Sequence, residues 1–179
     1  MMPLAVNSYE LMILREAIIE DAAGLVTAER ETALTPGLLV SRPHELTRAA
    51  FEQKIVELGE SGRYMVAEKD RKVVGHALLE PMGLQATSHV FRLTIVVHPS
   101  YLGEGIGAAL MRDLLAWAEQ TPQVGKIELL VRATNARAIR LYSKLGFVEE
   151  DRFKNRVRLP DGSFIDDLAM AWFPNNRHV

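Results

Sequence analysis

The sequence predicts a single domain of the α/β to α+β class, in which helices cover a mixed β-sheet. Three observations support this prediction. The chain has 179 residues, a length that suits one domain with a substantial core. Strand-like and helix-like runs follow the order β, α, α, β, β, β, α, β, α, β, β, which is typical of a mixed sheet. Two pairs of strand-like runs are joined by short turn segments, as in β-hairpins.

The N-terminal third of the chain contains one short strand and two helices. Residues 12–15 are predicted as the strand and residues 19–32 as the first helix, with Asp21 in its first turn, where the helix dipole favours a carboxylate. Residues 35–43, TPGLLVSRP, carry the turn residues of a loop. Residues 44–58 are predicted as the second helix, which the following glycine ends.

Three strands are predicted in the middle of the chain. Residues 63–68 and 73–80 are strands that the segment KDRK joins in a hairpin. Residues 89–97 form the longest strand candidate, and their nearly continuous apolar run predicts burial on both faces. We therefore expect this strand at the centre of the sheet.

The C-terminal half alternates helices and strands and closes with a second hairpin. Gly146 marks the end of the last helix. The Asp161-Gly162 pair within LPDGS is a strong hairpin signal between the final two strands. The predicted elements are a helix at 106–119, a strand at 126–132, a helix at 135–145 and strands at 147–157 and 164–172.

Composition excludes several classes of function. A net charge of −2, from 21 basic and 23 acidic residues, does not favour nucleic acid as a partner, because phosphate backbones require a basic surface. The absence of cysteine excludes disulfides and thiolate zinc sites, and the five histidines show no metal-ligand spacing, so we expect no metal. No apolar run approaches the ~20 residues of a membrane span. The N-terminus lacks the basic start of a signal peptide, so a cytoplasmic protein without membrane contact is expected.

Glycines occupy alternate positions in the loop after the central strand. Gly103, Gly105 and Gly107 separate the strand at 89–97 from the next helix. Backbone N–H groups of such a loop can converge at a helix N-terminus and bind an anion such as a pyrophosphate. The same glycines can serve only a tight turn, or form a variant of the dinucleotide fingerprint. That fingerprint fits poorly, because its acidic partner, Glu128, falls inside a strand. The sequence has no Walker loop.

A second strand-to-helix junction carries polar residues. In NARAIRLYSKLGF (135–147), Asn135 is a good N-cap and Tyr142 lies on the apolar stripe of the helix. A tyrosine there is commonly a core aromatic whose hydroxyl reaches the rim. If the strands at 89–97 and 126–132 are parallel neighbours, however, both junctions open at the sheet edge where ligands bind.

These two segments together, in this order and spacing, resemble the GNAT superfamily of N-acetyltransferases. The matching stretches are IVVHPSYLGEGIGAALM (95–111) and LLVRATNARAIRLYSKLGFVEE (129–150), of which the second is the more specific. The ending DGSFIDDLAMAWF is similar to the family's closing hairpin, so the resemblance covers roughly residues 12–173. It implies a mixed, mostly antiparallel central sheet with helices on both faces.

The resemblance also implies limits for the domain. We expect the acetyltransferase domain at residues 11–174, after a loose leader at 1–10 and before a C-terminal tail at 175–179. Many members of the family are dimers, so a homodimer is a further expectation.

The implied activity is that of an acyltransferase. An N-acetyltransferase of this family moves the acetyl group of acetyl-CoA directly to a primary amine of a small molecule or protein. The alternative is a non-catalytic acyl-CoA-binding or sensor domain on the same fold, because Leu102 stands where the family usually has Arg or Gln. A third interpretation, a nucleotide-dependent oxidoreductase, rests on the glycine fingerprint alone.

The resemblance assigns residues to the cofactor and to catalysis. The loop at 102–108 would hold the pyrophosphate, and the strand residues 95–97 would pair with the pantetheine arm. A backbone N–H near Val97 would polarise the thioester carbonyl, Asn135 would bind the pantetheine region, and Tyr142 would be the catalytic acid for the departing thiolate. The cofactor-binding residues implied are Ile95, Val96, Val97, Leu102, Gly103, Glu104, Gly105, Ile106, Gly107, Ala108, Asn135, Ala138 and Tyr142.

Two positions of the glycine loop bear on cofactor affinity. Leu102 removes a polar side chain, and Glu104 adds a negative charge close to phosphates. Because the phosphate contacts of this loop are mainly backbone N–H groups, we expect acetyl-CoA to bind still, although more weakly.

The sequence does not identify the base that takes a proton from the attacking amine. An amine of pKa ~10.4 is mostly charged at neutral pH, so a base or a water chain is needed. Each candidate also has an ordinary structural interpretation, and the acceptor itself stays open. The candidates are Glu31, Glu80, His89, Arg92 and His98.

Overall fold

The computed structural model describes residues 12–175, which are arranged around a seven-stranded sheet. The strands lie across the sheet in the order β1-β2-β3-β4-β5-β7-β6, and every neighbouring pair is antiparallel except β4 and β5. This confirms the predicted mixed, mostly antiparallel sheet. The strands are β1 (Ile13–Glu16), β2 (Arg63–Lys69), β3 (Lys72–Pro81), β4 (Val90–Val97), β5 (Lys126–Arg132), β6 (Val148–Arg158) and β7 (Phe164–Trp172).

Helices cover both faces of the sheet, as expected. Successive residues of a strand point to opposite faces. In β2, Tyr64 and Val66 belong to one apolar layer with α1 and α2, whereas Met65 and Ala67 belong to the other, with α3. Burial of these two layers holds the helices on the sheet. The helices are α1 (Ala22–Ala33), α2 (Arg48–Ser61), α3 (Ile106–Gln120) and α4 (Ala136–Lys144).

The first two helices begin later than predicted. A 3-10 turn at Ile19–Asp21 precedes α1, and another 3-10 turn lies where the second helix was expected to start. The N-cap of α2 is Thr47, whose hydroxyl accepts a hydrogen bond from the N–H of Ala50 at 3.3 Å. The helix continues through Gly59 and ends before Gly62, where a Cβ would come within 2.2 Å of a β3 carbonyl oxygen. Close contact with β3 therefore requires glycine at this end, and the earlier glycine does not stop the helix.

Both predicted hairpins are present. The turn between β2 and β3 consists of Asp70 and Arg71, with φ of 51° and 61°. Positive φ at both positions matches the twist of the flanking strands. The turn between β6 and β7 contains Gly162, with φ of 88°.

β6 is bulged in its second half. Residues 154–156 lie opposite the single β7 residue Asp166. Asp166 stabilises this bulge by accepting hydrogen bonds from the Asn155 N–H and the Arg152 guanidinium, both at 2.8 Å. The bulge bends the strand beside a cavity whose wall includes Arg156.

β4 and β5 separate after three residue pairs, and this opening positions the candidate site. Residues 90–92 pair with residues 126–128, after which β5 continues beside β7. The β5-facing edge of residues 93–97 therefore has no strand partner within the described part of the chain. The prediction that β4 is buried on both faces was wrong, because Arg92 and Thr94 are exposed and line the opening.

The predicted leader, residues 1–10, lies outside the described residues, as do residues 176–179 of the predicted tail. Asn175 donates its backbone N–H to a carboxylate oxygen of Glu119 at 3.1 Å, so the start of that tail is held against α3. Within residues 12–175, no helix has the length and apolar character needed to cross a membrane.

Candidate active site

Two adjoining cavities occupy the opening between β4 and β5. The smaller, of about 280 Å³, lies between the glycine loop, the end of β4 and the start of α4. The larger, of about 690 Å³, lies between β4, β5, the β6–β7 hairpin and α1. The walls of both include Ile95, Val96 and Tyr142, so the two cavities meet at these residues.

The smaller cavity brings the predicted cofactor-binding residues together. Twelve of the thirteen line it, and the exception is Glu104. The parallel pairing of β4 and β5 explains this result, because it places both strand-to-helix junctions at one edge of the sheet. Residues that line the cavity but were not predicted are Thr32, Leu38, Leu39, Tyr101, Arg137 and Leu141.

The glycine loop leaves backbone N–H groups available at the N-terminus of α3. Gly103 and Gly105 have φ of 100° and 81°, values that a residue with a side chain rarely adopts. Gly105 is the N-cap of α3, and no side chain caps this helix. The first N–H groups of a helix have no partner within the helix, so this loop can hold an anion. At Gly107 a Cβ would lie 3.5 Å from Val97 and 3.6 Å from Leu141, a normal packing distance.

The charge balance of the loop is more favourable to phosphate than the sequence indicated. The carboxylate of Glu104 lies 2.9 Å from Lys69 Nζ, at the end of β2, so it is neutralised by an ion pair. The guanidinium of Arg137 lies beside Gly103, with Nη2 3.6 Å from the position of a Cβ there. Leu102 is 51% exposed and adds an apolar surface. Arg137, in the first turn of α4, therefore supplies a cation that the sequence reasoning missed.

Tyr142 stands where the two cavities meet. Its side chain is 8% exposed and contacts the ring of Phe147, with ring centroids 5.8 Å apart. Its hydroxyl makes no hydrogen bond within the described residues. Burial raises the pKa of Tyr142 to about 12, so the phenol carries its proton throughout the physiological range. A protonated hydroxyl without a protein partner is suited to donate to a bound molecule.

Asn135 is the N-cap of α4, as predicted. Its side-chain oxygen accepts a hydrogen bond from the N–H of Ala138 at 3.1 Å. The side-chain amide of asparagine also has two N–H donors, so capping the helix does not use the full hydrogen-bonding capacity of Asn135.

Several charged groups of the larger cavity are already paired. Lys126 lies 2.7 Å from Glu128 and 2.8 Å from Glu150, and bridges these two carboxylates. Arg132 lies 2.5 Å from the buried carboxylate of Asp167. Arg132 and Asp167 neutralise each other, whereas Lys126 balances only one of its two carboxylates, so this side of the cavity keeps a net negative charge.

Two guanidinium groups of the larger cavity remain free. Among the described residues, the side chain of Arg92 makes one hydrogen bond, to the sulfur of Met82 at 3.5 Å, and the guanidinium of Arg156 lies 5.8 Å from the ring centroid of Phe153. Neither has a carboxylate partner within residues 12–175. Arg92 and Arg156 can therefore bind a carboxylate that enters from solution.

The structure separates the candidate bases. Arg92 lines the larger cavity, but a guanidinium stays charged and cannot accept a proton. The carboxylate of Glu80 contacts Lys54, and Glu31 is exposed and outside both cavity walls. His98 is buried beyond both walls, and burial, together with repulsion from another histidine, lowers its pKa to about 4. His89 also lies outside both walls.

Four carboxylates line the larger cavity that were not among the candidate bases, those of Glu29, Glu128, Glu150 and Asp151, and of these only Glu29 is buried. Glu29 of α1 lines the larger cavity and is 8% exposed. It falls on the inner stripe of the helix with Ala22, Leu25 and Val26, and a charged residue at a core-facing position is the signal that could have identified it.

The chain is similar to known acetyltransferases. The model of the acetyltransferase (GNAT) family matches residues 27–147. Over 109 residues the chain is 34% identical to the L-amino acid N-acetyltransferase AaaT of Escherichia coli. The matched segment covers 61% of this chain and 67% of that protein. Over 77 residues it is 41% identical to the ribosomal protein bS18-alanine N-acetyltransferase of Escherichia coli. This matched segment covers 43% of this chain and 51% of that protein.

The similarity extends to solved structures. The structure of yncA, a putative acetyltransferase from Salmonella typhimurium with its cofactor acetyl-CoA, has a TM-score of 0.84 to this chain at 18% identity. The match covers 94% of this chain and 96% of that one. At this identity the likeness concerns the fold.

Proposed function

This chain belongs to the acetyltransferase (GNAT) family and is an acetyl-CoA-dependent N-acetyltransferase, and we propose that its acceptor is the α-amine of an amino acid or peptide. The two relatives named above act, by their names, on L-amino acids and on an alanine of a ribosomal protein. Both of these acceptors present an α-amine. The matched segments cover only 67% and 51% of those relatives, so the acceptor is argued from the cavities below.

The opening between β4 and β5 carries this proposal. It joins a cavity with free backbone N–H groups to a cavity with free guanidinium groups, with Tyr142 at their junction. The pyrophosphate of acetyl-CoA would lie against the glycine loop and Arg137. The pantetheine arm would pair with the free edge of residues 93–97 as an added strand, which directs the thioester towards the junction.

Tyr142 is the proposed general acid. Burial keeps its hydroxyl protonated, so it can give a proton to the sulfur as the C–S bond of the thioester breaks. A backbone N–H near Val97 would stabilise the negative charge that develops on the carbonyl oxygen. These cofactor-binding and catalytic roles are the ones that the sequence resemblance implies.

The larger cavity favours an acceptor that carries its own carboxylate. Arg92 and Arg156 are free there, and guanidinium groups bind carboxylates by paired hydrogen bonds. A free amino acid has a carboxylate one carbon from its α-amine. We therefore expect free L-amino acids to react faster than the corresponding amino acid amides.

A panel of amine acceptors tests the proposal. Release of CoA would be measured with free L-amino acids, their amides, short peptides with free N-termini and a polyamine. The proposal predicts the highest kcat/KM for the free amino acids and the lowest for the polyamine. Acetyl transfer to the polyamine but to no α-amine would refute the proposed acceptor class.

Thermal stability separates the acyl-CoA interpretation from the nucleotide-dependent oxidoreductase. Acetyl-CoA and CoA should raise the melting temperature, because each binds the folded state, and NAD should leave it unchanged. Stabilisation by NAD alone would contradict the proposed use of the glycine loop.

A further inference from the structure

We propose that Glu29 binds the ammonium group of the acceptor and accepts its proton, and that His76 and Tyr64 position the Glu29 carboxylate. This inference rests on the proposed function, because it concerns the acceptor side of the same reaction. It names the base that the sequence left open and assigns a role to a polar group in the core between α1 and the sheet.

The placement of Glu29 is the first argument. Glu29 lines the larger cavity, and Thr32, one turn later on the same face of α1, lines the smaller cavity. Tyr142 belongs to both walls. Glu29 thus borders the cavity that meets the proposed cofactor cavity at Tyr142.

A chain of buried polar groups supports the carboxylate from behind. Nε2 of His76 lies 2.7 Å from Oε1 of Glu29, and Nδ1 of His76 lies 3.1 Å from the hydroxyl of Tyr64. His76 is 1% exposed and Tyr64 5% exposed. If the hydroxyl of Tyr64 donates to Nδ1, the ring N–H of His76 is on Nε2, which faces the carboxylate.

The contact between Glu29 and His76 is close but imperfectly aligned. The ring N–H at Nε2 does not point straight at the carboxylate oxygen, so the short distance does not amount to a well-formed hydrogen bond. The carboxylate of Glu29 therefore keeps hydrogen-bonding capacity for another donor.

The buried carboxylate of Glu29 lacks a cationic side chain to balance its charge among the described residues. Glu29 has no lysine or arginine partner within residues 12–175, and its one ion-pair contact is with His76. A buried carboxylate is costly unless a cation or several hydrogen bonds compensate it. An ammonium group entering the larger cavity would provide both.

Neighbouring acidic groups lack this combination of burial, access and available charge. Glu31, two residues later on α1, is exposed and outside both cavity walls, and Glu80 contacts Lys54. Glu128 and Glu150 share the ammonium of Lys126, and Asp151, which also lines the larger cavity, is exposed.

The proton transfers balance as follows. The acceptor ammonium gives one proton to the Glu29 carboxylate, and the neutral nitrogen forms the C–N bond with the carbonyl carbon. The C–S bond breaks, and the hydroxyl of Tyr142 gives its proton to the sulfur. The second proton leaves the nitrogen and restores the phenol of Tyr142. Glu29 releases its proton to solvent through the larger cavity, so one proton is released per turnover.

The test compares E29Q with the matched control E31Q. At pH ~7 the α-amine of a peptide, with pKa ~8, is mostly protonated, so E29Q should lower kcat/KM by a factor of ~10² to 10⁴. About nine-tenths of this amine is neutral at about pH 9, against about one-tenth at pH ~7, so the ratio of wild-type to E29Q activity should fall about tenfold between the two pH values. E31Q should follow the wild-type protein at both values.

The groups around Glu29 must not produce this pH dependence themselves. They are His76 from β3, Tyr64 from β2, His98 after β4 and Asp21 before α1. Burial and the charges of Glu29 and Asp21 raise the pKa of Tyr64, and that of His98 is lowered to about 4. Neither Tyr64 nor His98 therefore changes charge between about pH 7 and about pH 9.

Two binding measurements complete the test. By calorimetry, E29Q should bind CoA as the wild-type protein does, whereas binding of a free amino acid in the presence of CoA should weaken at least tenfold. H76Q should lower kcat/KM by about tenfold with the same dependence on pH, because its target is the position of the carboxylate. The melting temperature of each variant checks that it is folded.

The outcomes distinguish this inference from the proposed function. If the wild-type protein acetylates no α-amine, the proposed function fails. The role of Glu29 is wrong if the wild-type protein is active and E29Q has the same kcat/KM as E31Q. It is also wrong if E29Q lowers kcat/KM by the same factor at both pH values. In either case the proposed function stands.

Discussion

The two cavities of the candidate site are built in different ways. The smaller cavity is formed largely by one loop and two strand-to-helix junctions, and the groups proposed to bind an anion there are backbone N–H groups at the start of α3. The larger cavity draws on α1, the loop after it, β4, β5 and the β6–β7 hairpin, and its chemistry comes from side chains such as Glu29, Arg92 and Arg156. The first is determined by local sequence and the second by the tertiary fold.

This difference matches the two proposed roles, cofactor binding in the smaller cavity and acceptor selection in the larger one. A backbone cradle tolerates side-chain changes, which is why Leu102 and Glu104 can stand beside it. A side-chain cavity can change its acceptor through a few substitutions while the cofactor site is unaffected. Variants in one cavity should therefore alter the kinetics of one substrate only.

The largest expected effect comes from Tyr142, which belongs to both cavities. Y142F should lower kcat by a factor of ~10² to 10⁴, while the affinity for acetyl-CoA changes little, because only the acid is lost. Since the pKa of Tyr142 is raised to about 12 and its protonated form is the active one, the wild-type rate should show no loss from this group below about pH 11. Steady-state kinetics against pH provide the measurement.

Y101F is the matched control for this variant, because Tyr101 lines the smaller cavity alone. It should keep the wild-type kcat. A Y142F protein with unchanged kcat across the pH range would remove Tyr142 as the acid.

The next effect concerns the smaller cavity alone. G105V introduces a β-branched residue at φ of 81°, where such side chains are strained by ~1 to 3 kcal/mol. The loop should relax away from this geometry, and the KM for acetyl-CoA should rise by about 10- to 100-fold, while the KM for the acceptor stays close to wild type.

G83V serves as its control, since Gly83 has ordinary backbone geometry and open space around its Cα. If G83V raised the KM for acetyl-CoA as much as G105V does, the geometry of the glycine loop would not be what binds the cofactor. Melting temperatures distinguish a binding defect from loss of the fold.

The corresponding change in the larger cavity is smaller. R92Q and R156Q should each raise the KM for a free amino acid by about tenfold, as expected for a lost charge-assisted contact of ~1.5 kcal/mol. Their KM for acetyl-CoA should remain that of the wild-type protein. The amino acid amide has no carboxylate, so its KM should be the same for R92Q, R156Q and the wild-type protein.

R112Q, a change at an exposed position of α3 outside both cavities, is the control for general charge effects. If it weakens amino acid binding as much as R92Q does, the guanidinium groups act only through long-range attraction, which added salt would reduce.

The smallest expected effect is that of L102Q, which should change binding of acetyl-CoA but not of the acceptor. L102Q returns a polar side chain to the glycine loop and should tighten acetyl-CoA binding by about two- to threefold, the gain of one modest hydrogen bond. The acceptor KM should not change. Calorimetry with CoA measures the difference, and weaker binding by L102Q would indicate that the apolar surface of Leu102 itself contacts the cofactor.

The same contrast explains how far the sequence could predict the molecule. The element order followed from short segments whose turn and capping residues act locally. The parallel pairing of β4 and β5 entered only as a condition, and the residues around the glycine loop came from the resemblance to the family. The start of α2 could not be predicted, because both Pro43 and Thr47 provide possible beginnings and tertiary packing selects the second.

The acceptor side was less accessible to sequence reasoning. Glu31 was named and Glu29 was not, although the two differ only in which side of α1 they occupy. His76 lies within the apolar run VVGHALL, and its contacts with Tyr64 and Glu29 join three elements that are distant along the chain. Such a cluster becomes visible only when the register of β2 with β3 and the rotation of α1 are known.

Through the proposed binding mode, the free edge of β4 would couple acetyl-CoA concentration to the stability of the folded chain. At residues 93–97 the sheet lacks a neighbouring strand within the described residues, and the pantetheine arm of acetyl-CoA is proposed to take that place. A ligand that binds only the folded state, present at 100 times its Kd, adds ~2.7 kcal/mol to the free energy of unfolding. Under this proposal the protein is protected from unfolding and proteolysis while acetyl-CoA is abundant, and its half-life shortens when carbon supply falls.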